Sequence, residues 1–464
     1  MLIMKFGGTS VGDADRIAHV AGLVVEARQR DPQLVVVASA MAKVTDALFA
    51  LARGAVAGNG ETGPRLEALR ARHQEAARAL LQTPQELDLA QRAIGARFED
   101  LRRCCDSIAL LGEVTARTLD RVAGVGEQLS CALLAAALRE RGVAATAVSA
   151  TELIVTDAHF GAAQPSLEQS RPRVREKLLP LIAQGTIPVV TGYIAATAEG
   201  VPTTLGRGGS DFSAAILGAC LDADAVWIWS DVDGILTADP NIVPEARTLS
   251  ELSYASAATL AAFGAEVLHP KTVAPLVERG IPLRLLNTFR PTHPGTQIVP
   301  QPASDGARPP AIISTRGLTL LGVVGNGERW TPEVAGRALS ALARAGVEVL
   351  MFSQSFSERV LTLLVREAEM EASLRTLRRE YEEDLARGHL SQVAALSQVG
   401  AISVVGAPGG DGAAVVSKTF AALGRLGTQI VSVAQSASEY HVSVIVPEAE
   451  VDDTVRFIHR ELNV

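Results

Sequence analysis

The stretch Thr203-Thr204-Leu205-Gly206-Arg207-Gly208-Gly209-Ser210-Asp211 decides the fold of this chain. It places three glycines around one arginine, and the apolar run 212–221 that follows predicts a helix. Glycine lets backbone N–H groups approach a ligand closely, and a helix N-terminus attracts anions. Arg207 adds a planar group that matches a carboxylate or a phosphate. Because the pattern is equally typical of a tight turn capped by Ser210 or Asp211, the stretch alone predicts either an anion site or a capped turn.

The composition predicts a large soluble α/β protein. The chain has 464 residues, so we expect two or three domains. Its 48% of hydrophobic and 4% of aromatic residues favour helices packed on an aliphatic sheet. A net charge of −8 argues against nucleic acid or an anionic membrane as a partner. We find no basic-then-apolar leader and no uncharged run of membrane-spanning length. The four cysteines lack disulfide or metal spacing, so we expect a cytoplasmic location.

Short apolar runs that alternate with helical patterns predict a parallel sheet. The runs 2–6 and 34–38 each lead through a loop of small residues into a helical pattern. Further strand-like runs occupy 144–148, 187–191 and 225–229. Polar loops at the carboxyl ends of parallel strands are where such sheets bind ligands.

The first domain is predicted to cover residues 1–300. A charge-rich helical segment at about 65–119 is interpreted as an insertion whose charges form a solvated face. Six prolines between 291 and 310 indicate a linker zone.

An internal repeat follows the linker zone. Gln354 and Gln435 lie 81 residues apart, and the five-residue strings that they begin share four residues. Each copy reads strand, loop, helix, strand, turn, strand, helix, strand, which predicts a ferredoxin-like βαββαβ module present twice, at 311–388 and 393–464. A duplicated dimerisation module without a ligand is the alternative.

Lys5 ends the first strand directly before Gly7 and Gly8. A lysine beside a glycine loop is a compact positive charge for a transferring phosphoryl group. The chain has no GxxxxGK[ST] string, so this is not a Walker-type loop. Together with the glycine-rich stretch and Ser230-Asp231, Lys5 predicts a cradle for the phosphates of a nucleotide.

Four motifs in order resemble those of the aspartate kinases, namely KFGGTSV at 5–11, TLGRGGSD at 204–211, DVDGI at 231–235 and VLHP at 267–270. The resemblance covers nearly the whole chain, and the two repeats are similar to ACT modules. It implies an amino-acid kinase α/β/α sandwich with a mainly parallel sheet, plus two ferredoxin-like ACT modules. The implied reaction is MgATP plus L-aspartate giving ADP and 4-phospho-L-aspartate, the entry to lysine, threonine and methionine synthesis.

The resemblance also implies roles for individual residues. Lys5 would stabilise the transferring phosphoryl group, and Asp211 would orient Lys5. Arg207 would hold the α-carboxylate of the substrate and Glu127 its α-ammonium, although Glu127 by itself is equally typical of a helix start. The other implied contacts are Thr45, Gly208, Gly209 and Ser210 with the substrate, and Phe6, Gly7, Gly8, Ser230, Asp231 and Leu236 with the nucleotide. Phe160, Gly161 and Tyr193 are either walls of the pocket or core residues.

The chemistry of this reaction agrees with the residue types. A side-chain carboxylate with a pKa of about 3.9 is already ionised at neutral pH, so the transfer requires no general base. Catalysis then rests on positioning and on neutralising charge, and no histidine or cysteine is essential.

Departures from the family pattern cluster on the nucleotide side. Many relatives carry Lys at Glu266, Tyr at Leu236 and Arg at Asn241. Either Lys271 compensates or the affinity for ATP is lower. His269 is interpreted as a residue that packs or caps locally.

The strings at Gln354 and Gln435 resemble the effector-binding strings of threonine-sensitive aspartate kinases. We expect these glutamines to bind an amino acid, threonine first and lysine second, in a homo-oligomer formed through the ACT modules. Because the chain stops at Val464, no fused homoserine dehydrogenase is expected. The alternatives are a glutamate or acetylglutamate kinase, and an amino-acid sensor with a weak kinase domain.

Overall fold

The computed structural model describes residues 1–58, 60–262, 268–302, 309–326, 332–355, 357–406, 412–435 and 441–462. They fall into two units. The first comprises Met1–Ile235, Ser250–Tyr254 and Val267–Pro302, and the second comprises Leu236–Leu249, Ala255–Glu266 and Ala303–Val464. The domain limits inferred from the sequence stay a prediction.

The first unit is built on an eight-stranded sheet with the order β3-β5-β2-β1-β8-β10-β11-β9. Of its described pairs only β10 with β11 is antiparallel, which confirms the mainly parallel sheet. The helices and strands between residues 1 and 302 are β1 Leu2–Phe6, α1 Ala14–Arg30, β2 Leu34–Ala38, α2 Val44–Ala57, α3 Thr62–Leu80, α4 Pro84–Leu111, α5 Ala116–Ala123, α6 Val125–Glu140, β3 Ala145–Val148, β4 Val155–Thr156, α7 Leu167–Ala183, β5 Ile187–Thr191, β6 Ile194–Thr197, β7 Pro202–Thr204, α8 Gly209–Leu221, β8 Ala225–Ser230, β9 Glu251–Ser253, α9 Tyr254–Ala262, α10 Pro270–Val277, β10 Leu283–Asn287 and β11 Thr296–Val299. Of these, α9 belongs to the second unit from Ala255 onward.

The central strands are buried on both faces, as expected for a sheet covered by helices on each side. Every residue of β1 and of β2 is buried. Helix α1 begins where the side chain of Asp13 accepts a hydrogen bond from the backbone N–H of Arg16 at 2.9 Å. This N-cap satisfies one of the donors that a helix start leaves unpaired.

Helices α3 and α4 occupy the segment interpreted as a helical insertion. Their apolar residues, such as Leu66 and Phe98, join the same core cluster as α1, α2 and α6. Their charges form exposed ion pairs one turn apart, as between Arg102 and Asp106. Such exposed pairs contribute only about 0.5 kcal/mol each, so the insertion is stabilised mainly by its apolar face.

The structure contains one small sheet that the sequence analysis missed. Strands β4, β6 and β7 form a separate three-stranded sheet in which β6 and β7 are antiparallel. Each strand has at most four residues, so no periodicity marks them. This sheet carries the chain into the glycine-rich stretch.

The second unit is built on a six-stranded antiparallel sheet with the order β13-β14-β12-β15-β17-β16. Its elements are β12 Ala311–Gly325, α11 Pro332–Arg344, β13 Met351–Ser355, β14 Val360–Arg366, α12 Met370–Glu380, α13 Glu382–Ala386, β15 Leu390–Val405, α14 Gly412–Leu426, β16 Ser432–Gln435, β17 His441–Pro447 and α15 Val451–Leu462.

The two repeats are interleaved rather than consecutive. In β12, residues 318–325 pair with β14 and with the first half of β15, whereas residues 311–315 pair with the second half of β15. The register shifts between Thr315 and Leu318, where one partnership gives way to the other. The second repeat ends on α15, so its fourth strand is supplied by the start of β12. The prediction of four strands inside each copy is wrong for the second copy.

A segment that precedes the repeats in sequence belongs to the second unit. Ala238, Ile242 and Val243 pack in one apolar cluster with residues of β15, β17, α14 and α15. The hydroxyl of Thr237 lies 3.2 Å from Nε2 of His459, and Arg456 donates to the carbonyl of Ile242 at 3.0 Å. Residues 236–249 are therefore part of the core of this unit.

One helical stretch of the described chain, Ala116–Glu140, is long and apolar enough to cross a membrane. Its apolar window is 83% buried inside the protein, which is typical of a core helix.

Candidate active site

The glycine-rich stretch forms the turn between β7 and α8. Gly206 and Gly208 have φ angles of 77° and 70°, in the left-handed region that favours glycine. A Cβ atom on Gly208 would also lie 2.5 Å from Cβ of His269. Gly208 is the N-cap of α8 and no side chain caps the helix, so the alternative of a cap by Ser210 or Asp211 is wrong.

Lys5 and Asp211 form an ion pair beside this turn. Met4 and Phe6 belong to the core cluster on one face of β1, and alternation along the strand places Lys5 on the other face. The ammonium of Lys5 lies 2.5 Å from Oδ1 of Asp211, and the side chains are only 9% and 15% exposed. The approach lacks the alignment of a hydrogen bond. A carboxylate that fixes a nearly buried lysine leaves the ammonium positioned to meet a second anion.

Glu127 is a buried carboxyl group with an incomplete set of partners. It lies in the first turn of α6 and is 3% exposed. Oε1 accepts a hydrogen bond from the backbone N–H of Ala40 at 3.3 Å, while Oε2 has no hydrogen-bond partner within the described ranges. Burial raises the pKa of Glu127 from 4.5 to about 8. A buried carboxyl in this state is suited to receive a cation.

These groups line one cavity of about 440 Å³. The substrate-side residues predicted from the sequence all line it, and so do Gly161 and Tyr193, two of the three candidates for pocket walls. Arg207 is exposed within this lining. The cavity is lined by Lys5, Ser39, Ala40, Thr45, Glu127, Gly161, Tyr193, Gly206, Arg207, Gly208, Gly209, Ser210 and Asp211.

Asp120 is a functional candidate that the sequence analysis missed. Its carboxylate is 3% exposed and accepts hydrogen bonds from the backbone N–H of Gly161 at 2.9 Å and of Thr204 at 3.0 Å, and from the hydroxyl of Thr204 at 2.7 Å. It therefore ties together the two loops that carry Gly161 and Gly206 into the cavity. A lone acidic residue at the end of a charged helical segment gives no signal of this role.

Five of the predicted nucleotide contacts lie along the carboxyl ends of β1 and β8, outside the lining of the cavity, namely Phe6, Gly7, Gly8, Ser230 and Asp231. Leu236 is the exception, because it belongs to the second unit. The N–H of Gly7 donates to the carbonyl of Trp229 at 3.2 Å, so Gly7 adjoins Ser230. The side chain of Phe6 is fully buried and stacks on Trp229 with ring centroids 5.9 Å apart. Only the backbone of Phe6 can therefore make the predicted contact with the nucleotide. Asp231 is exposed at the end of β8.

The departures from the family pattern are only partly described. Glu266 and Val267 lie outside the described residues. Leu236 belongs to the second unit, where it bridges to Thr248. The side chain of Asn241 donates to Asp239 at 3.0 Å. His269 accepts from the N–H of Lys271 at 3.3 Å and caps α10, which confirms its local role.

The repeated glutamines end equivalent strands of the second unit. Gln354 lies on β13 and Gln435 on β16. The side-chain amide nitrogen of Gln354 is buried and has no hydrogen-bond partner in the part of the chain that the structure describes. Gln435 is exposed, and Phe356 and residues 436–439 of the two strings lie outside the described residues.

Family comparisons agree with the fold. The amino acid kinase family matches residues 1–287, and the ACT domain family matches residues 321–381 and 402–462. The fold, the site and these matches define a member of the amino acid kinase family that carries ACT domains.

Individual relatives narrow the class. Over 464 residues the chain is 34% identical to bifunctional aspartokinase/homoserine dehydrogenase 1 of Zea mays, covering 98% of this chain and 50% of that protein. It is 31% identical to aspartokinase 3 of Arabidopsis thaliana, covering 98% and 80%. Within the family, the chain belongs to the aspartokinases. It spans about half the length of the bifunctional relatives it matches.

Crystal structures of E. coli aspartokinase III show the same fold. The complex with aspartate and ADP aligns over 100% of both chains with a TM-score of 0.82 and 28% identity. The complex with lysine and aspartate aligns over 100% of this chain and 99% of that chain, with a TM-score of 0.77 and 29% identity.

Proposed function

We propose that this protein transfers the γ-phosphoryl group of ATP to the β-carboxylate of L-aspartate and releases 4-phospho-L-aspartate and ADP. The single observation that carries the proposal is the buried carboxyl of Glu127, which faces the same cavity as Lys5, Arg207 and Asp211. An amino acid with a free α-ammonium supplies the cation that Glu127 lacks. The E. coli enzyme crystallised with aspartate and ADP supports the same pair of ligands here.

In the proposed reaction, an oxygen of the substrate carboxylate forms a bond to the γ-phosphorus while the bond to the β-phosphate oxygen breaks. The nucleophile is already ionised, so no residue of the chain needs to accept a proton. Lys5 neutralises charge on the transferring group, and Asp211 holds its ammonium in place. The backbone of Gly7 and Gly8 approaches the phosphates.

Magnesium is part of the proposed reaction as a charge-neutralising ion on the nucleotide. Within the described ranges no three acidic, histidine or cysteine side chains are grouped to hold a metal ion. Mg²⁺ is commonly held by one or two carboxylates together with substrate phosphates, and Asp211 and Asp231 are the candidates here.

Two features favour a free α-amino acid over N-acetylglutamate, and the aspartate complex of the E. coli enzyme favours aspartate over glutamate. N-acetylglutamate has no ammonium, so it would leave Glu127 buried without a cation. Arg207 and Glu127 together match an α-carboxylate and an α-ammonium on one carbon. A weak kinase domain that acts as an amino-acid sensor remains the second candidate, because Leu236, Asn241 and Glu266 depart from the family pattern on the nucleotide side.

We further propose feedback control by an amino acid bound at Gln354 and Gln435, in a cytoplasmic homo-oligomer formed through the ACT modules. The buried amide of Gln354 and the lysine complex of the E. coli enzyme support an amino-acid effector. Threonine is the first candidate and lysine the second. Four free cysteines suit a reducing compartment, although the plant relatives are named as chloroplast proteins. The predicted domain limits, 1–300, 311–388 and 393–464, form part of the same proposal.

The decisive experiment measures aspartyl hydroxamate formation from ATP and aspartate. The parent protein is expected to turn over, and Lys5→Ala to lose activity by at least about a hundredfold because one positive charge leaves the transition state. Lys177→Ala, which removes an exposed lysine paired with Glu152, is the matched control. Activity with N-acetylglutamate but not with aspartate would overturn the substrate assignment. Binding of aspartate without turnover would favour the sensor.

The same assay tests the effector. Threonine or lysine is expected to inhibit the parent protein and to raise its melting temperature, and Gln354→Ala to weaken both effects. If neither amino acid nor methionine changes rate or melting temperature, the proposal of an effector site is wrong.

A further inference from the structure

A second cavity of the first unit lies on the opposite face of the sheet from Lys5. It has a volume of about 720 Å³, within the range of about 300–1,000 Å³ that is usual for small-molecule sites. Helix α1 contributes Leu23 and Ala27 to its lining, and the strands β1, β8 and β10 contribute Met4, Trp227 and Leu286. The residues that line it are distinct from those of the candidate active site.

The inner wall of this cavity carries a buried donor. Trp229 lines the cavity and is 5% exposed, and its indole N–H has no hydrogen-bond partner among the residues that the structure describes. The ring is fixed by stacking on Phe6 and by an edge contact with Trp227, with centroids 6.3 Å apart. The N–H itself has no surface open to the cavity, so Trp229 presents to a ligand only part of a fixed, flat ring.

Arg284 supplies a positive group to the same cavity. It lies on β10 beside Trp227 in the sheet, and its guanidinium is 5.9 Å from the centroid of the Trp227 ring. Nε donates to the carbonyl of Pro294 at 2.9 Å, which fixes the plane of the group. No carboxylate within the described ranges forms an ion pair with Arg284. The acidic side chains of the lining, Glu26, Asp31 and Asp224, belong to α1 and to the amino-terminal edge of β2 and β8.

We propose that this cavity binds a planar aromatic acid. The ring packs against Trp227, Met4 and Leu286, since flat apolar surfaces gain most from burial against indole and aliphatic groups. The carboxylate of the ligand pairs with Arg284, whose planar fork matches it. The site goes beyond the proposed phosphoryl transfer and does not depend on it.

The test uses calorimetric titration of the full chain with defined probes, in the presence of saturating ADP and aspartate so that the candidate active site is occupied. We expect 2-naphthoate to bind at one saturable site per chain, and 2-naphthamide to bind about tenfold more weakly because it lacks the charge.

Three variants assign the site. Arg284→Gln is expected to weaken the binding of 2-naphthoate about tenfold, and Trp227→Ala to weaken it by removing the indole surface on which the ring packs. Ala27→Phe fills the cavity from α1 and is expected to abolish binding; its melting temperature reports whether the fold is intact. Arg173→Gln changes a half-buried arginine of α7 that does not line the cavity; it is the control and is expected to bind as the parent does.

The proposal is overturned if 2-naphthoate shows no saturable binding, or if Arg284→Gln and folded Ala27→Phe bind as the parent does. Equal loss in Arg173→Gln would also overturn it, because the effect would then be general charge attraction. Displacement of the probe by ATP and aspartate would assign it to the candidate active site instead.

Discussion

Replacing Glu127 by Gln tests the cation-binding role of the buried carboxyl. The variant keeps the shape of the side chain and a carbonyl oxygen for the N–H of Ala40, but it cannot carry a negative charge. A hydrogen bond to a charged group is worth about 1.5–3 kcal/mol, so we expect the KM for aspartate to rise about tenfold to a hundredfold. The KM for ATP is expected to change little, because Gly7 and Ser230, where we expect the nucleotide, do not line the cavity that Glu127 faces.

The raised pKa of Glu127 gives the same experiment a pH dependence. Because the pKa is about 8 in the folded protein and 4.5 without burial, the folded state holds a proton that the unfolded state loses between these values. The stability from this group is therefore complete below 4.5 and is lost as the pH rises through about 8, by up to about 1.4 kcal/mol per pH unit. The Gln variant lacks this term, so its thermal unfolding is expected to depend less on pH in this window.

Binding of aspartate must ionise Glu127 if the side chain pairs with the α-ammonium. We expect about one proton to be released per aspartate bound near pH 7, measured by calorimetry in buffers of different ionisation enthalpy. Glu152→Gln, an exposed carboxylate paired with Lys177, is the control for kinetics and for stability. An unchanged KM for aspartate in E127Q, or binding without proton release, would refute the reasoning.

Three further predictions concern packing and positioning. Gly208→Ala is expected to lose activity and about 1–3 kcal/mol of stability, because the alanine would need a left-handed φ and its Cβ would collide with His269. Gly336→Ala, whose Cβ would lie in open space on α11, is instead expected to stabilise the protein by about 0.5–1 kcal/mol. Melting temperatures of the two variants test this difference. Asp120→Asn is expected to raise the KM for aspartate about tenfold with little effect on the KM for ATP. The control is Asp157→Asn, which changes an exposed carboxylate with two backbone donors and is expected to leave both KM values unchanged. Equal effects of the two substitutions on the two KM values would contradict a positioning role for Asp120. Ile242→Ala is expected to lower the unfolding temperature of the second unit through a cost of about 2–5 kcal/mol, and a shift confined to the first unit in calorimetry would disprove it.

Local patterns predicted the parts of the fold that depend on neighbouring residues. The run 187–191 forms β5 with the predicted bounds. A short, continuous apolar run is typical of a strand that is covered on both faces of a sheet, and all five residues of β5 are buried. Lys5 lies near the carboxyl end of β1 in the large sheet, whereas the glycine-rich stretch follows β7 of the small sheet. The two meet because the stretch begins α8, and α8 packs against β1.

Long-range partnerships could not be predicted in this way. Asp120 receives its donors from residues 41 and 84 positions away, so nothing near it in sequence marks its role. Strands β4, β6 and β7 are too short for a periodic signal. In sequence, residues 311–325 appear as one strand that begins the first copy. In the structure, residues 311–315 complete the sheet of the second copy instead, and only their pairing with β15 shows this.

The strand shared by the two repeats, at the start of β12, limits where the second unit can be truncated. A clone that begins at residue 393 would contain every helix of the second copy but would lose residues 311–315, exposing the open backbone edge of β15 where they pair. Such a fragment is prone to aggregate or to recruit a strand from another molecule. Exchange of these repeats between proteins therefore has to transfer both copies together, starting before residue 311.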